Sequence, residues 1–151
     1  MSLRMSDDEV REFLATGHTG ILATLRADGS PAVMPLWYVM IDESVFVRTL
    51  ARSAKAKHVR ADPRVSFIVE SGRAWAELKA VVIYGDAVIE TAPDVIANVD
   101  SAFAAKYRSF RMPTTADDKT RRHYAQQGLY VRIAPKRRVL TWDNSKLLPK
   151  P

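Results

Sequence analysis

Ile21-Leu22-Ala23-Thr24-Leu25-Arg26-Ala27-Asp28-Gly29-Ser30-Pro31-Ala32-Val33-Met34-Pro35-Leu36-Trp37-Tyr38-Val39-Met40 holds two apolar, strand-forming runs on either side of a short polar break. Asp28-Gly29 supplies the positive backbone φ that a tight hairpin turn needs, so residues 21–25 and 32–40 read as antiparallel neighbours. A third strand at 45–49 follows the polar turn Asp42-Glu43-Ser44. Three strands within about 30 residues predict an antiparallel meander.

Working outward, Ser6-Asp7-Asp8-Glu9 has the Ser-x-x-Glu form of a capping box, and Val10, Phe13 and Leu14 follow at one-faced helical spacing up to Gly17. Downstream, Ser53 can cap a short helix over 53–60, which Asp62-Pro63 stops because a residue before proline is pushed out of the helical region. Residues 65–69 resume strand character. After the Ser71-Gly72 turn, the β-branched and aromatic content of 74–90 predicts one long strand, with Gly85 as a bulge or point of close approach. Thr91 and Pro93 suit the start of a helix running to Lys106, and 114–126 reads as another helix. Residues 129–133 and 139–142 complete the strands. Five to seven antiparallel strands with inserted helices predict a mainly β (α+β) barrel with short peripheral helices, one domain over residues 1–151.

The 47% hydrophobic and 26% charged fractions are those of a folded globular chain. No apolar run approaches the roughly 20 residues that span a bilayer, and no basic-then-apolar leader opens the chain. The expectation is a cytoplasmic protein with no membrane role. With no cysteine, disulfides, thiolate catalysis and sulfur-based zinc sites are excluded. His18, His58 and His123 lie far apart, so no metal site is expected. Phosphate-loop, nucleophile-elbow and His-Glu-x-x-His motifs are absent, as is any paired general acid and base.

Charge is the informative feature. The 23 Lys and Arg outnumber 17 Asp and Glu, and between residues 48 and 64 six cations (Arg48, Arg52, Lys55, Lys57, Arg60, Arg64) face a single acid, Asp62. A solvated basic surface is one reading of this cluster; a site for an anion is the other. Ser53 and the first free N–H groups of its helix could hold a phosphate, with Lys55 reaching it from the first turn and Arg48 from the preceding strand end.

The order of segments resembles one family over nearly the whole chain. Thr19-Gly20-Ile21-Leu22-Ala23-Thr24-Leu25, Asp28-Gly29-Ser30-Pro31, Leu36-Trp37-Tyr38, Ser53-Ala54-Lys55 and Arg60-Ala61-Asp62-Pro63-Arg64-Val65-Ser66 are similar to successive blocks of the split β-barrel flavin and deazaflavin reductases typified by pyridoxamine-phosphate oxidase. The closing Val139-Leu140-Thr141-Trp142-Asp143-Asn144-Ser145-Lys146-Leu147 resembles the branch that uses coenzyme F420. The resemblance implies a split barrel of the FMN-binding kind, and a hydride passed between the coenzyme and a small organic substrate. It places Ser53 and Lys55 at the cofactor phosphate, with Arg48 and Thr49 at the strand end before it. Met34, Pro35, Leu36 and Trp37 lie along the tricyclic ring, and Lys57 and Arg60 are available to an anionic tail. His58-Val59-Arg60-Ala61 departs from the family's Asn-Leu-Arg-Arg, which leaves Arg60 usable and His58 and Ala61 without a family role. The resemblance also implies a homodimer with the cofactor at the subunit interface, and Tyr38, Trp75 and Trp142 are candidates for the pocket wall.

Other readings stay open on the sequence. FMN would use the same phosphate cradle, while the γ-linked glutamates of F420 favour the surplus of cations. A barrel that binds haem or another ligand without turnover has the same outline. An OB-like binder of single-stranded nucleic acid would expose Trp37, Tyr38 and Tyr84 on one strand face beside the cations.

Overall fold

A computed structural model describes residues 2–148. Seven strands form one antiparallel sheet: β1 (Thr19–Leu25), β2 (Pro31–Ile41), β3 (Ser44–Leu50), β4 (Arg64–Ser71), β5 (Lys79–Ile89), β6 (Gly128–Pro135) and β7 (Leu140–Asp143). Their order is β4-β1-β2-β3-β6-β5-β7, and β4 also pairs with β5. That last pairing closes six strands into a barrel, leaving β7 as an added edge on β5. Closure removes the unpaired edges that an open sheet would expose.

The strand alternation read from the sequence sets the core. Leu22, Tyr38, Val45, Val47, Phe67, Val69, Val81, Ile83, Val131 and Ile133 fill the barrel interior, each nearly or wholly shielded from solvent. A second apolar layer lies outside, where α3 (Pro93–Lys106) packs Val99 over Val39, Phe46 and Tyr130. The predicted box caps α1 (Asp7–Thr16): the Ser6 hydroxyl accepts from the Glu9 amide and the Glu9 carboxylate accepts from the Ser6 amide. Helix α2 (Ala54–Ala61) begins at the Ser53 cap as expected and buries Ala56 and Val59. His58 Nδ1 meets Thr24 Oγ1 at 2.9 Å, tying α2 to the far end of β1.

Two expectations need correction. The stretch 74–90 is not all strand: Glu77 accepts from the Arg73 and Ala74 amides and folds Trp75–Glu77 into a 3-10 turn before β5 begins. A local side-chain-to-backbone bond overrides strand propensity there. The helix expected over 114–126 shrinks to α4 (Asp118–Tyr124), because Asp117 caps it by accepting from the Thr120 amide and no apolar stripe buries against the barrel. Gly85 is a point of close approach as expected. A Cβ there would run into the Ala134 carbonyl oxygen of β6.

Candidate functional site

The barrel is split between β2 and β3. Those strands pair only from Tyr38 opposite Val47 to Ile41 opposite Ser44, and beyond that they part. Residues 31–37 of β2 stay paired to β1 alone, while Arg48, Thr49 and Leu50 of β3 pair with Tyr130, Leu129 and Gly128 of β6. Pro35 sits in the middle of this open lip, where a missing N–H costs nothing on the unpaired side. Alternation along β2 turns Met34 and Leu36 toward the core and Val33, Pro35 and Trp37 outward, with Val33 62% and Trp37 38% exposed. Of the four residues expected along the ring, two therefore pack inward and two face solvent.

At the other lip, β3 passes into α2 through the Ser53 cap. Ser53 Oγ accepts from the Ala56 amide (3.2 Å) and lies 2.8 Å from Thr49 Oγ1, which is buried. Either hydroxyl can donate across that contact, and when Thr49 does, Ser53 keeps its own hydrogen for an incoming anion. Lys55 follows in the first turn. Among the four α-helices of the described residues, α2 alone has no acid in its first turn, although a helix N-terminus favours negative charge. Arg48, Arg52, Lys55, Lys57 and Arg60 form no ion pair with a carboxylate among the described residues.

The expected cradle is divided by the sheet. Thr49 points into the fold while its neighbour Arg48 points out, where its guanidinium lies against Gly128. Arg48 and Arg60 line a 590 Å³ cleft on that outer face together with Glu90, Asp100, Gln127 and Tyr130. Arg60 donates to the Ala51 carbonyl (3.1 Å), and Tyr130 donates to the Asp100 carboxylate. Burial and then Asp100 push the Tyr130 hydroxyl up to about 12, so it stays a donor. The structure thus brings Thr49 and Ser53 into contact, with Lys55 in the helical turn that follows, and sets Arg48 with Arg60 in a separate cleft. Lys57 stands exposed on the helix between them in sequence.

Sequence reasoning missed an aromatic cluster on the β2 lip. The Trp37 ring stacks face to face on Tyr107 at 4.5 Å with planes 3° apart, and His18 meets Trp37, Tyr107 and Phe110 edge-on. The Tyr107 hydroxyl accepts from the Tyr38 amide (3.0 Å) and lies 2.8 Å from the carbonyl oxygens of His18 and Tyr38. Lys106 donates to the same Tyr38 carbonyl (3.1 Å) and lies over the Tyr38 ring; burial pulls its ammonium down to about 8. Tyr107 is about 70 residues from Trp37, and no local pattern links them. The pocket-wall candidates fare differently. Tyr38 is wholly buried, its hydroxyl donating to the Leu14 carbonyl; Trp75 is exposed on the 3-10 turn; Trp142 lies on β7, outside the closed barrel. Because Trp37 and Tyr38 point to opposite faces, they form no common stacking platform with Tyr84. Among the described residues no three His, Cys, Asp or Glu gather as a metal cluster, and no helix is long and apolar enough to cross a membrane.

A closed six-stranded barrel with one opened ladder and a helix cap at its lip defines a split β-barrel of the flavin-binding class. The sequence profile of the pyridoxamine 5'-phosphate oxidase family matches residues 6–137, and the chain belongs to that family of oxidoreductases. It is 28% identical over 110 residues to an F420H(2)-dependent biliverdin reductase of Mycobacterium tuberculosis, covering 72% of this chain and 76% of that one. The crystal structure of the conserved hypothetical protein Rv2991, also from M. tuberculosis, superposes with a TM-score of 0.81 at 32% identity, over 99% of this chain and 92% of that one. The heme storage protein HutZ of Vibrio cholerae shares the fold alone, with a TM-score of 0.72 at 18% identity over 96% and 99% of the two chains.

Proposed function

We propose that the chain is an F420-dependent oxidoreductase that passes a hydride between the deazaflavin coenzyme and a small organic substrate. The observation that carries this reading is the split itself, bordered on one side by an open strand and on the other by the Thr49–Ser53 contact at the cap of α2, with Lys55 in the first turn. The bound coenzyme would supply the hydride chemistry. The chain's residues supply position and charge. Ser53, the first amides of α2 and Lys55 hold a phosphate; the β2 lip at Met34, Pro35, Leu36 and Trp37 lines the ring; Lys57, Arg60 and Arg48 attract carboxylates of the tail. The biliverdin reductase relative supports this choice of coenzyme. FMN is the second reading, because Arg48 lies on the opposite face and the smaller set of Thr49, Ser53 and Lys55 suffices for one phosphate.

Fluorescence titration of the apo-protein with both cofactors at two salt concentrations separates the readings. F420 should bind at least about tenfold more tightly than FMN, or about 1.4 kcal/mol. Its affinity should fall as salt rises and as the glutamate tail is shortened, because exposed cations are screened. Equal or tighter FMN binding moves the assignment to FMN.

The open β2 edge with its exposed Val33 and Trp37 is the kind of surface that a second chain covers. A homodimer is expected by light scattering, with cofactor affinity lost on dissociation. A monomer that binds at full affinity contradicts the interface site.

A further inference from the structure

Where the barrel opens, β2 keeps one neighbour, and no partner strand on its free side helps to fix its outward side chains. Pairing with β1 ends at Thr19 opposite Trp37, and pairing with β3 begins only at Tyr38 opposite Val47. Trp37 therefore sits at the fork. One residue further along β2, the rung that would set His18 opposite Tyr38 is filled by a side chain from the end of α3. The Tyr107 hydroxyl accepts from the Tyr38 amide (3.0 Å) and lies 2.8 Å from the carbonyl oxygens of both His18 and Tyr38. It has one hydrogen for the two carbonyls. Lys106 donates to that of Tyr38 (3.1 Å), so the His18 carbonyl is the one that needs the hydroxyl.

Tyr107 is held on every side. It is 2% exposed, closes α3 by donating its N–H to the Phe103 carbonyl, and lies in the outer apolar layer with Val39, Phe46, Val99 and Tyr130. The Trp37 ring that stacks on it at 4.5 Å, with planes 3° apart, is by contrast 38% exposed. Tyr107 takes one face of Trp37, so the open surface of that ring lies away from α3. A tryptophan on an unpaired lip would lose rotamer freedom when a ligand bound to it, which weakens binding. Stacked on a buried ring, it is ordered before the ligand arrives.

We propose that Tyr107 is a positioning residue of the split, whose buried ring holds Trp37 as a fixed platform for the tricyclic ring of the coenzyme. The inference rests on reading the split as a flavin or deazaflavin site with Trp37 along that ring. Aromatic faces attract when stacked, and hydride transfer needs the coenzyme ring kept in one place. The two ends of Tyr107 then do different things. Its hydroxyl completes the end of the β1–β2 ladder and serves the fold; its ring serves the site.

The test is a fluorescence titration with F420 and with FMN, and a thermal melt, on the parent, Trp37→Ala, Tyr107→Leu, the double variant and Tyr107→Phe. Whichever coenzyme the parent binds, Trp37→Ala should weaken it about tenfold, as the loss of one stacked ring does. Tyr107→Leu should weaken it about fivefold, and the double variant should bind within about twofold of Trp37→Ala, because Tyr107 acts only through Trp37. Tyr107→Phe keeps the stack, so it should bind within about twofold of the parent while melting lower, the Tyr38 amide having lost its acceptor. A residue that only stabilised the fold would not separate affinity from melting in this way. Parent-like affinity in Trp37→Ala or in Tyr107→Leu, losses that multiply in the double variant, or a folded Tyr107→Phe that binds about fivefold more weakly than the parent overturn the inference and leave the coenzyme site standing. Should Tyr107→Leu not fold, Trp37→Ala and Tyr107→Phe still decide. A parent that binds neither F420 nor FMN overturns the reading of the site, and this inference with it.

Discussion

Replacing Lys55 with alanine is expected to weaken F420 binding about tenfold or more, because the phosphate loses a charge-assisted hydrogen bond of roughly 1.5–3 kcal/mol. The fold should not suffer. Lys55 stands in the first turn of α2, where a cation opposes the helix dipole and no acid offsets it. Removing it should leave the melting temperature unchanged or raise it by the equivalent of a few tenths of a kcal/mol. Affinity and stability would then move in opposite directions, which a structural role for Lys55 could not produce. Titration and a thermal melt of the same preparation decide the matter: unchanged affinity removes Lys55 from the site.

Gly85→Val is expected to have the larger effect on the fold. Valine is a good strand former, so propensity alone would favour the change. The position forbids it, because any Cβ at Gly85 meets the Ala134 carbonyl of the neighbouring strand, and backbone cannot swing aside as a side chain can. The cost should be about 3 kcal/mol or more, a large share of the 5–15 kcal/mol that holds a domain together. For a chain of this size that is a fall of roughly 6–12 °C in melting temperature. A variant that melts within about 2 °C of the parent would show that β5 and β6 can separate locally at no expense.

The site was legible in part, and the legible parts are the local ones. Ser53 was readable as a cap from its position before a helix and ahead of Asp62-Pro63, and the cation excess around it needs only counting. Pro35 carries a signal of its own: a proline in mid-strand requires an unpaired side, and it marks the lip of the split. The division of Arg48 from Thr49 follows from alternation once the strand's bounds are fixed, whereas adjacency in sequence alone suggests both at one phosphate. The aromatic cluster at Trp37 had no local signal, since Tyr107 and Phe110 reach it from the far end of α3.

The sequence by itself determined the meander, the hairpin at Asp28-Gly29, the two capped helices and the basic corner, because each depends on neighbours a few residues apart and on the period of two along a strand. Only the tertiary structure decided which strands meet. The pairing of β1 with β4 and of β3 with β6 closes the barrel, and the loss of pairing between β2 and β3 opens the split. These pairings join segments separated by long loops, whose closure entropy varies slowly with length and so selects no partner. What selects it is burial: closing the six strands puts Tyr38, Phe67, Ile83 and Ile133 in one interior, and that choice carries Trp37 and Arg48 to the two sides of the opening.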